Sequence, residues 1–202
     1  MVDVSAPMKS FTLPAGRVIN QSLFSKEKFN AAAKAKYNVE IAYPKGTLDA
    51  FNNFLLDIAN EVWGAGSDED ENLVLPIKDG DEMAAKKAEN GKQGDAYEGM
   101  DVIRASTTFN YNGDDAEGGI KVLDFDSKTL ISPLEQDKVY RGCMMRAAVT
   151  IGTYSQNVTG YNAMNLYLKA VHKTGEGDRL GGDGDEDLGF EPVDAPTRGK
   201  RK

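Results

Sequence analysis

The sequence predicts a mainly β fold with one long helix, an α+β chain whose core is a small five-stranded antiparallel barrel. Three observations predict it. About five segments alternate apolar and polar residues, as strands with one buried face do. One segment carries apolar residues at helical spacing. Glycine-marked turns and long polar loops separate the segments, an arrangement typical of small antiparallel barrels.

Two strands are predicted near the start of the chain. A loose arm, residues 1–10, leads into a first strand over residues 10–19 with a bend at Pro14–Gly16. A second strand covers residues 36–45, the sequence KYNVEIAYPK. In that strand Tyr37, Val39, Ile41 and Tyr43 alternate with Lys36, Asn38, Glu40 and Ala42. The Tyr37 and Tyr43 face is either part of the core or an additional binding surface.

The long helix is predicted over Thr47–Trp63. Thr47 is a suitable N-cap residue, and Gly64 is a typical helix stop. Apolar residues recur at three- and four-residue intervals between these ends, which predicts a face that packs on the sheet. They are Leu48, Phe51, Leu55, Ile58 and Val62.

The middle of the chain predicts loops and two further strands. Residues 67–72 form an acidic loop, and residues 83–99 form a long polar excursion. The next strand begins at Met100, and on it Arg104 and Ser106 share one face. A further strand covers residues 120–126.

Residues 140–173 predict a β-hairpin with one apolar and one polar face. In its first strand Cys143, Met145, Ala147, Val149 and Ile151 alternate with a set that includes Arg146 and Tyr154. In its second strand Met164, Leu166 and Leu168 alternate with Asn165, Tyr167 and Lys169. The link SQNVTG suits a hairpin loop. The polar face suits stacked bases and phosphates, although a solvated sheet face would have the same composition.

The net charge of the chain is negative, but the charged residues are unevenly distributed along it. The chain of 202 residues has a net charge of −8, which argues against a simple nucleic-acid binder. Sixteen acidic and five basic residues lie within 57–117, and six acidic and four basic residues lie within 183–202. The rest of the chain has fifteen basic and ten acidic residues, so the predicted strands carry a local positive excess.

The sequence lacks the patterns of the common catalytic and metal-binding sites. One histidine, His172, and one cysteine, Cys143, are too few for the usual zinc site, and the nucleophile-elbow, P-loop and dinucleotide patterns do not occur. We therefore expect no cofactor and no catalytic residue. Acidic pairs near turns, in 79–82 and at Asp124 and Asp126, leave a metal-dependent nuclease as an alternative.

The chain resembles a family of phage single-stranded DNA-binding proteins with an OB-type fold. The resemblance covers roughly residues 10–182 and depends on the order of its segments. Its more specific parts are KDGDE at 78–82 and the element formed by Tyr140, Gly142, Cys143 and Arg146. It implies a non-enzymatic protein that binds and protects single-stranded DNA without sequence preference in phage DNA replication and recombination.

The resemblance turns the polar strand faces into a predicted DNA-binding site. Arginine and lysine would hold phosphates, and tyrosine would stack on bases. The predicted DNA-binding residues are Arg104, Ser106, Tyr140, Arg146, Tyr154, Tyr167 and Lys169.

The sequence also predicts how the chain is divided into domains and which partners it has. Residues 1–182 are expected to form the OB-like domain, and residues 183–202 a disordered acidic tail with a basic end, a segment too polar and glycine-rich to fold alone. The tail would reach replication proteins. No apolar segment is long enough for a membrane span, so we expect no membrane partner and a location in the cytoplasm of the infected host. Monomer and dimer both remain open, as does a structural or virion accessory role.

Overall fold

The computed structural model describes residues 8–28, 30–109, 120–156 and 161–180. Within those ranges it contains eight strands, two α-helices and three short 3-10 helices. The strands are β1 (Lys9–Thr12), β2 (Gly16–Glu27), β3 (Lys36–Pro44), β4 (Ile77–Asp79), β5 (Met100–Thr107), β6 (Lys121–Leu123), β7 (Met144–Gln156) and β8 (Tyr161–Gly175). The helices are α1 (Asp49–Trp63) and α2 (Gly80–Glu89), and the 3-10 helices span Ser67–Glu69, Asp95–Tyr97 and Pro133–Lys138. The prediction of a mainly β chain with helices is confirmed.

Five of the strands close into a ring. Its order is β7–β2–β3–β5–β8, and β8 pairs back onto β7. Strand β1 pairs with residues 148–151 of β7, β6 pairs with residues 170–172 of β8, and β4 pairs with residues 101–103 of β5. The ring therefore consists of the five longest strands, and the three short strands are additions to it.

The prediction that all pairings are antiparallel is wrong at two places. Strand β8 is parallel to β5 and to β6, whereas the other pairings between the eight described strands are antiparallel. The first parallel pair follows from geometry. Strand direction alternates along antiparallel neighbours, so a closed ring with an odd number of strands needs at least one parallel pair.

The main hydrophobic core lies where the inward faces of the ring meet α1. Alternation along the strands turns every second side chain inward, as the sequence predicted for both strands of the β7–β8 hairpin. Helix α1 starts at Asp49 rather than Thr47, and Leu48 occupies the N-cap position without a side-chain cap. Gly64 ends it with φ 104°, as expected of a glycine stop. The buried helix residues are Phe51, Leu55, Ile58 and Ala59.

Helix α2 lies where the sequence predicted a polar loop. The Asp79 carboxylate accepts hydrogen bonds from the backbone N–H groups of Asp81 and Glu82, which caps the helix. Acidic residues in the first turn and two lysines in the last turn suit the helix dipole. Ala84 packs into a second small cluster on the outer side of the ring. This cap and charge pattern is the signal that could have predicted the helix.

The segment Glu176–Leu180, which we call the exit strap, runs back across the body after β8. The backbone of Asp178 passes so close to Gly142 that a side-chain carbon there would overlap the Asp178 carbonyl, and Gly142 has φ 109°. The Arg17 side chain donates to the Asp178 carbonyl at 3.0 Å. The Leu180 N–H donates to the Arg141 carbonyl at 2.9 Å.

Part of what the sequence predicted lies outside the described residues. This applies to the tail at 183–202, to the domain boundary at 182 and to most of the hairpin link. Among the described residues, no helix combines the length and the apolar character needed to cross a membrane.

Candidate nucleic-acid interface

A line of polar residues crosses six neighbouring strands at one level. The strand registers pair Ser22 with Asn38, Asn38 with Ser106, Ser106 with Tyr167, Tyr167 with Thr150, and Thr150 with Ser10. Residues directly opposite each other on paired strands face the same side of a sheet, so all six lie on the outer side, opposite the core. We call this line the transverse band. Hydrogen bonds join its ends, from Asn38 to Ser22 and between Ser10 and Thr150 at 3.4 Å.

A groove opens over the middle of the transverse band, and we call it the central groove. Its cations are Lys36 from β3, Lys78 from β4 and Arg104 from β5. Its aromatic residues are Tyr154 from β7 and Tyr167 from β8, each 41% exposed. Ser106, Asn165 and the segment Val74–Pro76 are also part of its lining. None of the described lining residues is acidic.

The wall of the central groove is fixed by backbone hydrogen bonds. The Val74 N–H donates to the Asn162 carbonyl at 2.8 Å, and the Met164 N–H donates to the Val74 carbonyl at 3.0 Å. These bonds hold the segment before β4 against the start of β8. Lys78 follows on β4, which pairs with β5 and so brings the lysine close to the Arg104 strand.

A second groove, the lateral groove, continues from the central one toward β2. It shares Lys36, Arg104 and Ser106 with the central groove and adds Lys34 and Asn38. Glu27 lines its outer end. Three cations against one acid make this continuation positive, which suits a phosphate backbone.

A third groove, the distal groove, lies on the other side of Tyr167. It is lined by Met8, Phe109, Thr150, Tyr167 and Lys169. Met8 and Phe109 are each 68% exposed, which is unusual for large apolar side chains. The groove has a volume of about 540 Å³, within the range in which protein clefts bury small organic groups. Lys169 is the charged residue among the described residues that line this groove, and its Nζ donates a hydrogen bond to Ser10 Oγ at 3.2 Å.

Tyr167 meets the sheet edge-on between the central and distal grooves. A methyl group at Gly152, diagonally across on β7, would collide with ring atom Cε2. The two ring atoms bonded to Cε2 would lie equally far from that methyl group, each at 3.3 Å. A ring lying flat on Gly152 would bring its neighbouring atoms closer than that, so the ring points at Gly152 with its edge.

One acid lies on the outer face close to the cations. Glu40 is registered opposite Arg104, and its carboxylate accepts a hydrogen bond of 2.7 Å from the Tyr97 hydroxyl. Burial and this bond to Glu40 raise the pKa of Tyr97. The hydroxyl therefore stays protonated and holds the carboxylate beside α2.

Five of the seven predicted DNA-binding residues come together around these grooves. Arg104, Ser106 and Tyr154 line the central groove, Lys169 lines the distal groove, and Tyr167 lines both. The other two, Tyr140 and Arg146, lie elsewhere, and contact of the seven residues with DNA stays a prediction.

Tyr140 is engaged by the exit strap. Its hydroxyl donates to the Glu176 carboxylate at 2.6 Å and accepts from the Gly177 N–H at 3.2 Å. The Arg179 guanidinium lies 4.2 Å from the centre of its ring. Below it, the buried Lys173 pairs with Glu176 at 2.6 Å.

Arg146 lies near the opposite end of β7 from Tyr154. Eight residues separate the two, which is about 25 Å along a strand. The Arg146 Nε donates to His172 Nδ1 at 3.0 Å, and His172 is its registered neighbour on β8. Arg146 is exposed, as predicted, but it lines none of the three grooves.

The additional tyrosines on β3 belong to the core. Tyr37 is 7% exposed and Tyr43 is 0% exposed. Burial raises the pKa of Tyr43. The outer face of β3 instead presents Lys36 and Asn38 to the lateral groove.

The acidic pairs considered for a nuclease serve local structure. Asp79 and Asp81 both accept hydrogen bonds from Lys45, at 3.0 and 2.6 Å, and this lysine lowers the pKa of both carboxyls. Asp126 closes a turn by accepting from Lys128 and Thr129, and the bonds to Thr129 are the main reason that its pKa falls to about 2. Among the described residues, no three histidine, cysteine or acidic side chains are grouped to hold a metal ion.

Sequence reasoning missed several residues that line the grooves. Lys34, Lys36 and Lys78 supply much of the positive charge, and Met8 and Phe109 supply the exposed apolar surface. Lys36 had a usable signal, since it alternates with the buried residues of β3. The others depend on strand neighbours that only the folded sheet reveals.

Comparison with known proteins gives one family and a set of similar folds. The family model described as Enterobacter phage Enc34, ssDNA-binding protein matches residues 13–198. No curated protein sequence matches the chain.

The solved structures that are similar in fold include three of phage single-stranded DNA-binding proteins. The single-stranded DNA-binding protein from bacteriophage Enc34 in complex with ssDNA is 22% identical, with a TM-score of 0.61 over 85% of this chain and 89% of that one. A structure of the bacteriophage Enc34 protein described without ssDNA is 20% identical, with a TM-score of 0.60 over 90% of both chains. The protein gp2.5, a single-stranded DNA-binding protein of bacteriophage T7, is 15% identical, with a TM-score of 0.54 over 95% of this chain and 100% of that one.

Proposed function

We propose a function from one premise: the chain belongs to the family of the Enterobacter phage Enc34 ssDNA-binding protein, whose model matches residues 13–198. The protein binds single-stranded DNA without sequence preference and protects it during phage DNA replication and recombination. It acts as a binding protein and not as an enzyme, in the cytoplasm of the infected bacterium. Within this proposal the five-stranded ring is the OB-type barrel that the resemblance implies.

The central groove is the single observation that carries the proposal. It combines Lys36, Lys78 and Arg104 with two half-exposed tyrosines and no acidic described lining residue. Sequence-tolerant binding has two requirements. Cations must lie along the sugar-phosphate backbone, and aromatic rings must stack on bases of any type. A net charge of −8 does not oppose this, because binding depends on the local field.

The path of the strand follows the transverse band. The phosphates would lie along the lateral groove and over Lys36 and Arg104, and the bases would turn toward Tyr154 and Tyr167. The strand would then reach Lys169 at the distal groove. A duplex keeps its bases stacked inside, so it would lose the tyrosine contacts and retain only the phosphate contacts.

The proposal is tested with one oligonucleotide of mixed sequence. Fluorescence anisotropy measures its binding as a single strand and as a duplex, over a series of salt concentrations, with and without Mg²⁺. We expect tighter binding of the single strand and an affinity that falls linearly with salt on a double-logarithmic plot. Strand cleavage on addition of Mg²⁺ would support the nuclease alternative. No binding at low salt would leave a structural or virion accessory role.

The acidic segment at 183–202 belongs to the proposal as a partner element. Its six acidic residues surround Phe190, and four basic residues end the chain. We propose that this segment contacts replication proteins, and that its charge acts on the same field as the DNA does.

A further inference from the structure

We infer that Tyr167 is a wedge that separates two successive nucleobases and stacks one on each face of its ring. The inference rests on the proposed function and deepens it, because it assigns a distinct base to each of two grooves. Its ligands are unpaired nucleobases of any type.

The orientation of the ring is the first support. Gly152 receives the edge of the Tyr167 ring at Cε2, with Cδ2 and Cζ equally distant at 3.3 Å from a side-chain carbon built there. A ring that stands edge-on has both faces turned sideways, perpendicular to the sheet surface. A ring lying flat would offer one face only.

The two grooves are the second support. Tyr167 lines the central groove together with Tyr154, and it lines the distal groove together with Phe109 and Met8. Tyr167 therefore lies between two grooves, each of which contains another aromatic side chain. Aromatic rings and bases stack through their faces, and each such contact is worth about 1–3 kcal/mol by alanine substitution.

The third support is the chemistry of the distal groove. Met8 and Phe109 are each 68% exposed, and the charged residue among its lining residues is Lys169. An apolar groove with one cation at its edge suits a planar base with its phosphate outside. Its continuity with the cation-lined central groove through Tyr167 identifies the occupant as the next nucleobase of the same strand.

Gly152 is a positioning residue in this arrangement. It makes room for the ring edge, because any side chain at that position would push Cε2 away. Gly152→Ala would tilt the ring and spoil both stacking faces without removing an atom that contacts a base.

Double-mutant cycles on single-strand affinity test the wedge. Tyr167→Ala, Tyr154→Ala and Phe109→Ala are measured singly and in pairs, and each single change should weaken binding roughly five- to a hundredfold. Tyr167 should couple to both Tyr154 and Phe109. The affinity of each double variant that contains Tyr167→Ala should then be at least roughly threefold higher than the value obtained by multiplying the two single-variant losses. Tyr154 and Phe109 should combine as the simple product, because they face different bases.

A second cycle tests the positioning role. Gly152→Ala should weaken binding in the parent but have no further effect in Tyr167→Ala. Gly175→Ala is the matched control, since Gly175 lies on the same strand pair and its added carbon comes no closer than 3.2 Å to another atom, Met144 Cβ. Phe125→Ala is the matched aromatic control, since Phe125 is 52% exposed and lines none of the three grooves. Both controls should bind as the parent does.

The outcomes separate the wedge from the function beneath it. If the parent binds single strands but Tyr167 couples to only one of its neighbours, or to neither, the wedge is wrong and the proposed function stands. If the parent and the Phe125→Ala control both fail to bind single strands, the proposed function falls and the wedge falls with it.

Discussion

Lys36 and Lys78 reach one groove from two strands that are distant in the chain. At the residue scale each would neutralise a phosphate of a bound strand. Removing one such contact should lower the slope of log affinity against log salt by about 0.7 for single-stranded DNA. We expect that Lys36→Ala and Lys78→Ala each weaken binding at low salt and converge with the parent at high salt.

The matched control for these lysines is Lys128→Ala. Lys128 is an exposed lysine on the turn after β6 and lines none of the three grooves. The Lys128→Ala change removes the same charge from the protein. An equal fall in its slope of log affinity against log salt would therefore mean that net charge, and not the central groove, determines binding. Titrations at four or more salt concentrations give each slope.

Val149 tests the core beneath the interface. Its side chain is 0% exposed and belongs to the main core cluster. Val149→Asp would bury a carboxylate that has no cation or donor designed for it, at a cost of several kcal/mol. That is comparable with the whole stability of a typical domain, so we expect loss of the cooperative thermal transition by circular dichroism. A Val149→Asp protein that melts like the parent would contradict the placement of β7 in the ring.

At the scale of elements, Gly142 shows how the exit strap is held. Gly142→Ala adds left-handed strain at φ 109° and an overlap with the Asp178 carbonyl. Gly64→Ala is the matched control, because Gly64 has φ 104° and nothing within 4 Å of the added carbon. We expect roughly 1–2 kcal/mol of destabilisation for Gly64→Ala and more for Gly142→Ala.

The readout specific to the strap is amide exchange. The N–H of Leu180 is protected by its bond to the Arg141 carbonyl. Gly142→Ala should release the strap and speed exchange at Leu180, whereas Gly64→Ala should not. Equal protection of Leu180 in both variants would show that the strap tolerates a side chain at position 142.

The turn after β6 predicts that the stability of the fold depends on pH in the acid range. Hydrogen bonds, chiefly from Thr129, lower the pKa of Asp126 from 3.8 to about 2. A carboxyl whose pKa is lower in the folded state than in the unfolded state stabilises the folded state. This contribution is fully present when the pH is above the unfolded-state pKa, and it is lost as the pH falls through the folded-state pKa. The parent should therefore be more stable than Asp126→Asn at pH 7, and the difference should narrow between pH 4 and pH 2. Thermal melts across that range measure it, and a constant difference would contradict this role for Asp126.

Local sequence predicted the elements whose side chains alternate or recur regularly. The alternation in β7 and β8 correctly gave the buried and exposed faces, because a strand with one face on a core must follow period two. Helix α2 was missed because it is too polar to show a strong apolar face, although Asp79 and the charges at its ends mark it. The contact of Tyr140 with the exit strap could not be predicted, because nothing near Tyr140 in sequence shows that the strap returns to it.

At the scale of the whole molecule, the acidic segment offers a test of competition for the interface. The variant changes Asp183, Asp185, Glu186, Asp187, Glu191 and Asp194 to the corresponding amides. If these charges compete with DNA, single-strand affinity should rise, most at low salt, because added salt screens the competing charges. Amide substitution of the acidic residues in the loop at 67–72 is the control. Unchanged affinity for the tail variant from low to moderate salt would exclude the competition.

The assembly of the interface was beyond local sequence reasoning. The transverse band needs six strands in register, and the two grooves meet at Tyr167 only because β8 pairs with both β5 and β7. Periodicity gives the direction of each side chain but not the neighbour across the strand. Alternation therefore predicted Arg104, Ser106, Tyr154, Tyr167 and Lys169, whereas Lys34, Lys78, Met8 and Phe109 were not predicted.

The ring also sets the order in which this chain can fold. Hairpin β7–β8 joins segments that are close in sequence, but the pairs that close the ring, β2 with β7 and β5 with β8, join residues about 60 to 130 positions apart. A ribosome must therefore release nearly the whole domain before β2 and β5 meet their last partners. Until then both strands present unpaired edges, which are templates for intermolecular association. High contact order of this kind slows folding, so β2 and β5 are the strands longest at risk of aggregation in the nascent protein.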